Sequence, residues 1–357
     1  MSSEAELAAP RFEWDANAYQ RASPIAGVPA LLAEFGVPAE RALEGLPLDL
    51  SAFDEADLYL PYSFVTRILG NCAAATGRPH FGLLLGARAG FRSLGAPGGW
   101  LADAPDLLTA ITGFQSLQPA NSRGASVYLR RAGADYILGY GVYDRTAADR
   151  EQTYAYSIAM AFTAVRTLTA GAARPSEVLF SFRRPEDVSP YAALFGAPVR
   201  FDQFESGLVM SAAAMNAPIP GSKTADFAFW RAKAFEFAPR SEKPWTDQVR
   251  HVLRPLLLER RFTAPAAARV LDVDVRTLSR RLAAESGSFQ HVLDDVRFTF
   301  ARELLALTDL DIGDVAVALA YSTHGALDVA FRRWSGVSPS TWREAHRAGA
   351  EKMAGAQ

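Results

Sequence analysis

The chain contains 357 residues, of which 49% are hydrophobic and 21% charged, and its formal net charge is −2. This length suits two domains, each large enough to bury its own core. The charge balance excludes a protein with a broad basic surface. The single cysteine, Cys72, excludes an intrachain disulfide bond and suits a reducing cytoplasm.

Cys72 lies in an alanine-rich segment with the pattern of an apolar helix. We expect a thiol packed in the core of the protein. The alternative is a redox sensor, which would need an electropositive and accessible setting.

Two features argue against export and membrane insertion. The opening residues, Met1–Glu6, are acidic and lack the apolar core of a signal peptide. The most apolar window, residues 154–164, is too short to span a bilayer. We therefore expect a soluble, cytoplasmic protein with no membrane partner.

The first part of the chain has the pattern of a mixed domain. Residues 1–22 are polar and alanine-rich, and we expect them to form a flexible N-terminus. Helices are predicted at 29–35 and 62–76. The glycine-rich segment 86–99 lacks the Gly-Lys-Ser/Thr sequence of a phosphate-binding loop, so we expect a loop that packs around Trp100.

The elements that follow include both helices and strands. Segments 126–130 and 136–143 alternate in polarity on either side of a short Gly-containing turn, which predicts a β-hairpin. The order of elements predicts an α+β domain rather than an all-β barrel, and the proline-containing segment 216–221 marks its end. The other predicted elements are helices at 103–114, 151–170 and 190–195, a strand at 177–182, and a strand pair at 199–201 and 207–210.

The last hundred residues begin with the pattern of a helix-turn-helix unit. Thr263 can cap the free N–H groups of a short helix. Asp274 can cap a second helix, in which Leu278 and Leu282 face inward. The opposite face of that helix can enter a major groove, where arginine can bind guanine through two hydrogen bonds. The predicted DNA contacts on this face are Arg276, Thr277, Ser279 and Arg280.

A second unit of the same kind follows. Asp311 can cap its first helix, and Ser338 can cap a closing helix. Leu327, Phe331 and Trp334 recur at i, i+4 and i+7 and define the buried face of the second reading helix. The predicted DNA contacts on its outer face are His324, Asp328 and Arg332.

One amphipathic stretch joins the two units. Residues 288–307 carry apolar side chains at helical spacing, which predicts a helix of about 18–20 residues and about 27–30 Å. Successive major-groove faces of B-DNA lie about 34 Å apart. A spacer of this length can set two reading helices one turn of DNA apart, which predicts a single bipartite grip.

Residues 249–347 resemble the AraC/XylS family of bacterial transcription regulators. The similarity is continuous across seven predicted helices and includes the block from Asp314 to Pro339. The resemblance implies an all-α domain of two helix-turn-helix units joined by a linker helix. It also implies double-stranded promoter DNA and RNA polymerase as partners.

The second unit departs from the family pattern. The family usually has Gly-Phe where this chain has Ala320 and Tyr321, Phe at Leu327, Ser or Thr at Asp328, and Arg at Val329. The missing arginine removes one phosphate partner, and Asp328 adds repulsion. We therefore expect the second unit to grip more weakly or to read a cytosine through its N4 amine.

Charge is distributed only slightly unevenly along the chain. From Arg240 onward there are 17 basic and 15 acidic residues, a balance of +2, and the remainder carries −4. Weak non-specific attraction and strong salt sensitivity follow from this balance. Local arginines would then provide most of the attraction to DNA.

Residues 25–221 resemble the N-terminal domain, often labelled arabinose-binding-like, that one subgroup of this family carries. The segment Phe195–Phe201 and the strands that follow carry the resemblance. It implies that this domain senses a small-molecule effector and forms a homodimer, and it leaves the effector and the sign of regulation open. The expected order is a flexible N-terminus at 1–22, an α+β sensing and dimerisation domain at 23–221, a linker at 222–244, an all-α DNA-binding domain at 245–348 and a tail at 349–357.

Aromatic and basic side chains of the N-terminal domain suggest a ligand pocket. Tyr140 and Tyr154 would supply aromatic walls with polar tips, and Arg145, or else Arg130 or Arg131, would bind a carboxylate. The alternative is that the tyrosines pack in the core or an interface and the arginines are solvated edges of the hairpin.

The sequence has no catalytic or metal-binding pattern. Its five histidines are scattered, and it contains no nucleophile elbow and no dinucleotide-binding fingerprint. We therefore expect no enzyme activity, no cofactor and no metal. The remaining alternative is a regulator that a protein partner controls instead of a metabolite. A buried cavity would favour the sensor, and an exposed apolar patch over a filled core would favour the partner.

Overall fold

The structure, a computed structural model, describes residues 18–223, 226–236 and 244–354, with the backbone alone at 348–354. It contains an α+β domain followed by an all-α domain, which confirms the predicted fold class. Parts of the expected N-terminus, linker and tail, at 1–17, 224–225, 237–243 and 355–357, lie outside the described residues.

The N-terminal domain is built from two sheets and a set of helices around them. Its strands are β1 (Tyr19–Arg21), β2 (Tyr59–Pro61), β3 (Ser122–Arg123), β4 (Ala125–Ala132), β5 (Asp135–Val142), β6 (Glu177–Leu179), β7 (Val199–Arg200) and β8 (Ser206–Met210). Its helices are α1 (Val28–Glu34), α2 (Tyr62–Thr76), α3 (Phe81–Arg88), α4 (Ala96–Asp103), α5 (Leu107–Leu117), α6 (Arg150–Leu168), α7 (Ser189–Phe195) and α8 (Ala212–Met215).

The larger sheet has the strand order β4-β5-β8-β6-β7, and only β6 and β7 are parallel. The predicted hairpin is present as β4 and β5, with Gly133 in the left-handed region at the turn. Helix α6 packs on this sheet, so that Ile158 and Phe162 share one buried cluster with Leu138 and Leu208.

Two strand assignments differ from the sequence-based expectation. Residues 199–201 and 207–210 were expected to pair with each other, but β6 lies between β7 and β8 in the sheet. Tyr19–Arg21 falls in the segment expected to be flexible, yet it forms the central strand of a small sheet in the order β2-β1-β3. In both cases the pairing partner is distant in sequence, where local patterns carry no information about it.

The glycine-rich segment 86–99 is helical rather than a loop. It contains the end of α3, a 3₁₀ turn at Phe91–Leu94 and the start of α4. A Cβ atom at Gly82 or Gly86 would lie 2.2 Å from a backbone oxygen of α6. Glycine therefore allows the backbones of α3 and α6 to pack in direct contact. Trp100 lies on α4 itself and is buried.

A short helix, α9 (Phe227–Phe235), lies in the expected linker. Its Trp230 indole N–H donates a hydrogen bond to Asp103 at 2.9 Å, and Ala234 joins the apolar cluster of α4 and α5. This part of the linker is therefore packed on the N-terminal domain.

The C-terminal domain consists of seven helices among its described residues, and two apolar clusters organise them. Helix α13 contributes Val292 and Val296 to the first cluster and Phe300 and Leu304 to the second. One continuous helix therefore forms part of both cores. The helices are α10 (Trp245–Leu258), α11 (Ala264–Val270), α12 (Val275–Ala284), α13 (Phe289–Leu307), α14 (Ile312–Ala318), α15 (His324–Ser335) and α16 (Pro339–Ala354).

Candidate DNA-binding interface and effector cavity

The first helix-turn-helix unit is formed by α11 and α12. The Thr263 hydroxyl accepts a hydrogen bond from the Ala266 N–H at 3.3 Å, and the Asp274 carboxylate accepts one from the Thr277 N–H at 2.7 Å. Both predicted caps are therefore present. These hydrogen bonds lower the pKa of Asp274, so the cap is ionised at neutral pH.

The outer face of α12 presents the predicted contact residues. Arg276, Ser279 and Arg280 are exposed and Thr277 is half-buried, while Leu278 and Leu282 lie in the core. Arg276 and Arg280 form no ion pair with any acidic side chain of the described residues. Both guanidinium groups are therefore free to bind a phosphate or a base edge.

The second unit is formed by α14 and α15. Asp311 caps α14 through the Asp314 N–H at 2.7 Å, as predicted, and Thr323 caps α15. Leu327 and Phe331 are buried, which leaves the predicted outer face in solvent.

The charges on this second face are already paired. His324 and Arg332 are exposed, and the Arg332 Nε donates to the half-buried Asp328 carboxylate at 2.8 Å. Arg333 forms a further pair with Asp294 at 2.8 Å. Val329, where the family usually has arginine, is 72% exposed. The second reading helix therefore offers less unpaired positive charge than the first.

The two units share a backbone feature in their turns. Asp272 and Ala320 occupy equivalent places two residues beyond α11 and α14, and both lie in the left-handed region, with φ of 52° and 59°. Glycine adopts this region at no steric cost, whereas alanine is strained there by its Cβ atom. This strain explains why the family usually has glycine at the position of Ala320.

A buried ion cluster connects the two domains. Two nitrogens of Arg254 on α10 donate to Glu303 on α13 at 2.9 and 2.5 Å, and Arg150 on α6 donates to the same carboxylate at 2.9 Å. Arg254 also donates to the carbonyl of Val142 on β5 at 3.2 Å. A Cβ atom at Gly141 would lie 2.5 Å from the Arg254 Cδ, so this glycine makes room for the side chain.

Electrostatics keep Glu303 ionised although it is fully buried. Burial alone would raise the pKa of its carboxyl, but the charge and hydrogen bonds of Arg254, and then the charge of Arg150, lower that pKa below its ordinary value. Burial lowers the pKa of Arg254, but the charge and hydrogen bonds of Glu303, together with Tyr154 and Tyr128, raise this pKa above its ordinary value. Both members are charged at neutral pH.

A cavity of about 110 Å³ lies within the N-terminal domain, between α5, α6 and the β4–β5 hairpin. Most of its lining is aliphatic or aromatic, from residues such as Leu107, Ile111, Phe114 and Ile158. Its polar wall includes the adjacent residues Asn121 and Ser122, whose Oδ1 and Oγ atoms are buried and have no hydrogen-bond partner among the described residues.

The three predicted ligand-binding residues do not lie together in one site. Tyr140 lines the cavity, and its hydroxyl lies 2.9 Å from that of Tyr62. Tyr154 lies behind it, edge-on to the Tyr140 ring at 6.3 Å between centroids. Arg145 lies outside the cavity and pairs with Asp295 of the DNA-binding domain at 3.2 Å. The two alternatives, Arg130 and Arg131, pair with the Glu205 carboxylate and the Tyr136 ring.

Sequence reasoning missed several residues that form these sites. The ion cluster of Arg254, Glu303 and Arg150 had one local signal, because Glu303 lies three residues after Phe300 on the apolar stripe of α13. An acid at such a position needs a buried partner. Asn121 lies in a turn, and Ser122 begins the two-residue strand β3, which is too short to show a periodicity. Nothing local therefore marks either residue as part of the cavity.

Within the described residues, no group of His, Cys, Asp and Glu side chains is arranged to hold a metal ion. No described helix has both the length and the apolar character needed to cross a bilayer.

Comparison with known proteins gives two domain matches. Residues 36–219, more than half of the chain, match the arabinose-binding domain of AraC transcription regulators, and residues 267–345 match a helix-turn-helix domain. The first match lies in the α+β domain and the second in the all-α domain.

Known proteins also align with nearly the whole chain. The HTH-type transcriptional regulator VirS of Mycobacterium tuberculosis is 27% identical over 336 residues, which cover 90% of this chain and 96% of that protein. The ornithine utilization regulator of Pseudomonas aeruginosa is 26% identical over 341 residues, with the same coverage. The crystal structure of the transcriptional regulator CdpR from Pseudomonas aeruginosa aligns with a TM-score of 0.41 and 24% identity, covering 90% of this chain and 98% of that one.

The matched family and these relatives are transcription regulators rather than enzymes, in agreement with the sequence-based expectation. The protein belongs to the AraC family of DNA-binding transcription regulators, in the group that carries an arabinose-binding N-terminal domain.

Proposed function

We propose that this regulator binds a bipartite promoter site through α12 and α15 and is controlled by a small-molecule effector held in the cavity of its N-terminal domain. The observation that carries the proposal is the cavity itself. It is mostly apolar, and its lining includes Asn121 and Ser122, each of which has a buried side-chain oxygen with no partner among the described residues. Such a space, with a few convergent polar groups, is typical of ligand sites.

On DNA, the two reading helices would contribute unequally. Arg276 and Arg280 on α12 would contact base edges or phosphates, with Thr277 and Ser279 beside them. On α15, His324 lies at the helix start, and Arg332 would bind a phosphate only by exchanging its Asp328 partner. The first half-site is therefore the stronger determinant of affinity.

Effector binding would reach the DNA-binding domain through a chain of contacts. Tyr140 lines the cavity and packs on Tyr154, whose hydroxyl accepts a hydrogen bond from the Val142 N–H at 3.3 Å. The carbonyl of Val142 in turn accepts a hydrogen bond from Arg254. An effector that binds one arrangement of these residues more tightly would shift the placement of the DNA-binding domain.

We further propose a homodimer that acts in the cytoplasm and works with RNA polymerase at promoters. Control by a protein partner instead of a metabolite is the alternative. A cavity inside the N-terminal domain, rather than a filled core, favours the effector.

The DNA-binding proposal is tested by selecting bound DNA from a randomised pool with the full-length protein. We expect two half-sites about 10 bp apart. The Arg276→Ala variant should lose about 1–3 kcal/mol on the selected site if this arginine reads a base. Arg41→Ala, an exposed arginine of the N-terminal domain, is the matched control and should bind normally.

Two further variants test whether the second helix-turn-helix unit contacts the second half-site. Asp328→Ala should alter the second half-site alone, and Val329→Arg should tighten binding by supplying the absent phosphate partner. Enrichment of a single half-site, unaffected by both variants, would contradict the bipartite grip. An equal loss on random DNA for Arg276→Ala would assign this residue to phosphate contact.

A further inference from the structure

We infer that the effector is a small, uncharged and mainly apolar molecule that carries a hydrogen-bond donor. This inference rests on the proposed sensor function, because it takes the cavity as the effector site. It is drawn from three properties of the cavity: the absence of charge in its lining, the position of its unpartnered polar atoms, and its size.

The lining contains no Asp, Glu, Lys, Arg or His side chain among the described residues. Arg145, the first sequence-based candidate for a carboxylate partner, does not line the cavity and is held in an ion pair at the domain boundary. Moving an ion from water into an apolar site without a partner costs several kcal/mol. A carboxylate, an ammonium group or a zwitterionic amino acid would therefore be excluded from this cavity.

The unpartnered oxygens of the cavity lining require a particular kind of hydrogen-bonding group on the ligand. The Asn121 amide oxygen accepts hydrogen bonds but cannot donate them, and the Ser122 hydroxyl can do both. Both residues are at least nine-tenths buried, and neither oxygen has a partner in the part of the chain that the structure describes. A ligand hydroxyl or amide N–H would satisfy the Asn121 oxygen and remove its desolvation penalty.

Other polar groups of the lining are already satisfied by the protein. The Tyr156 hydroxyl donates to a backbone carbonyl at 2.6 Å, and the Gln118 side-chain amide donates to another at 2.8 Å. Tyr140 shares its hydroxyl hydrogen bond with Tyr62. The recognition chemistry is therefore concentrated at Asn121 and Ser122, and the rest of the ligand would meet apolar surface.

The size of the cavity sets the scale of the molecule. A cavity of about 150 Å³ lined by aliphatic and aromatic side chains accommodates benzene. At about 110 Å³, the present cavity suits a short aliphatic chain with one polar end. Flexible Met160 in the lining can adjust for a slightly larger ligand.

The experiment uses four probes with one carbon skeleton and the full-length protein. The neutral probes are 1-butanol and butyramide, and the charged probes are butyrate and butylammonium. Ligand-observed NMR titration measures the dissociation constant of each probe. Ala164→Leu, on α6, fills the cavity, and Ala161→Leu is a second filling variant should the first fail to fold.

We expect saturable binding of both neutral probes that either filling variant abolishes. Binding of the charged probes should be at least about 30-fold weaker, a lower bound for an unpaired buried charge. Ser122→Ala and Asn121→Ala should weaken the neutral probes while leaving binding of cyclopentane, which has no polar group, unchanged.

The contrary results distinguish a wrong effector class from a cavity that binds no effector. If butyrate or butylammonium binds as tightly as 1-butanol, and a filling variant removes that binding, the inferred effector class is wrong while the sensor site remains. If no probe, cyclopentane included, shows binding that a filling variant removes, the cavity is not a ligand site, and the inference and the proposed sensor function fall together.

Discussion

Replacing Glu303 with leucine should destabilise the DNA-binding domain far more than replacing both Glu303 and Arg254 with apolar residues. The Arg254 side chain is 3% exposed, and that of Glu303 is fully buried. Removal of the carboxylate leaves the buried guanidinium group with one carbonyl, that of Val142, and the rings of Phe300 and Tyr154 as its neighbours among the described residues. Breaking a buried pair in this way costs about 3–5 kcal/mol.

The double variant Arg254→Met/Glu303→Leu removes both charges and their desolvation cost. Apolar replacements of a buried pair are often neutral in stability, so the double variant should be more stable than the Glu303→Leu single variant. Arg150 is also a partner of Glu303 but has two further acceptors, the carbonyls of Ala147 and Asp144. It therefore retains hydrogen bonds in the double variant.

Urea denaturation of the wild type, the two single variants and the double variant gives the coupling energy of the pair. We expect a coupling of at least about 2 kcal/mol, within the upper range for residues in contact. The exposed pair of Asp328 and Arg332 is the matched control, where a helical i,i+4 pair should give about 0.3–0.5 kcal/mol. Additive single effects for Arg254 and Glu303 would refute the reasoning.

The stability that the Arg254–Glu303 pair contributes should also depend on pH. The pKa of Glu303 is lower in the folded protein than its ordinary value near 4.5. Its contribution to stability is therefore complete above that ordinary value and is lost as the pH falls through the lowered pKa. The Glu303→Leu variant should lack this part of the acid dependence.

Three further predictions concern single positions. Ala320→Gly should stabilise the protein by about 0.5–1 kcal/mol, because the relief of left-handed strain exceeds the cost of the freedom that glycine has in the unfolded chain. The control Ala283→Gly, at an exposed position of α12, should destabilise the protein by about 1 kcal/mol. Destabilisation by both substitutions would contradict the prediction. Burial raises the pKa of Cys72 to about 12, so alkylation should require denaturant, and rapid labelling of the native protein would contradict the core thiol. Burial raises the pKa of Glu151 to about 7, with Arg183 opposing, so stability should decline as the pH rises from about 4.5 to 7. Glu151→Gln should remove that decline, worth about 1–2 kcal/mol for a half-buried group, and equal pH profiles for variant and wild type would disprove it.

The helix-turn-helix units could be predicted from the sequence because their determinants are local. The side chains of Thr263, Asp274 and Asp311 each accept a hydrogen bond from the N–H three positions ahead, and the buried leucines repeat at helical spacing. Such signals lie within a single helical turn of the chain. A spacer helix at 288–307 was visible for the same reason and is present as α13.

Several features of the N-terminal domain depend on contacts between residues that are distant in the sequence. Gly86, at the start of the glycine-rich segment, resembled a loop residue, because its role, close contact with the backbone of α6 at Tyr156, depends on a helix 70 residues away. Arg145 resembled a pocket residue because it follows the hairpin, whereas its partner Asp295 lies in the other domain. No local pattern could assign either feature.

The position of Glu303 also constrains how an effector could act. Glu303 lies on α13, and the same helix forms part of both apolar clusters that hold α12 and α15. A well-packed interior transmits displacement instead of absorbing it. Movement of Val142 or Arg150, the N-terminal partners of the ion cluster, would therefore displace both reading helices together. We expect an effector to change the affinity of the whole bipartite site and the placement of the domain on DNA, and to leave the spacing between the two half-sites unchanged.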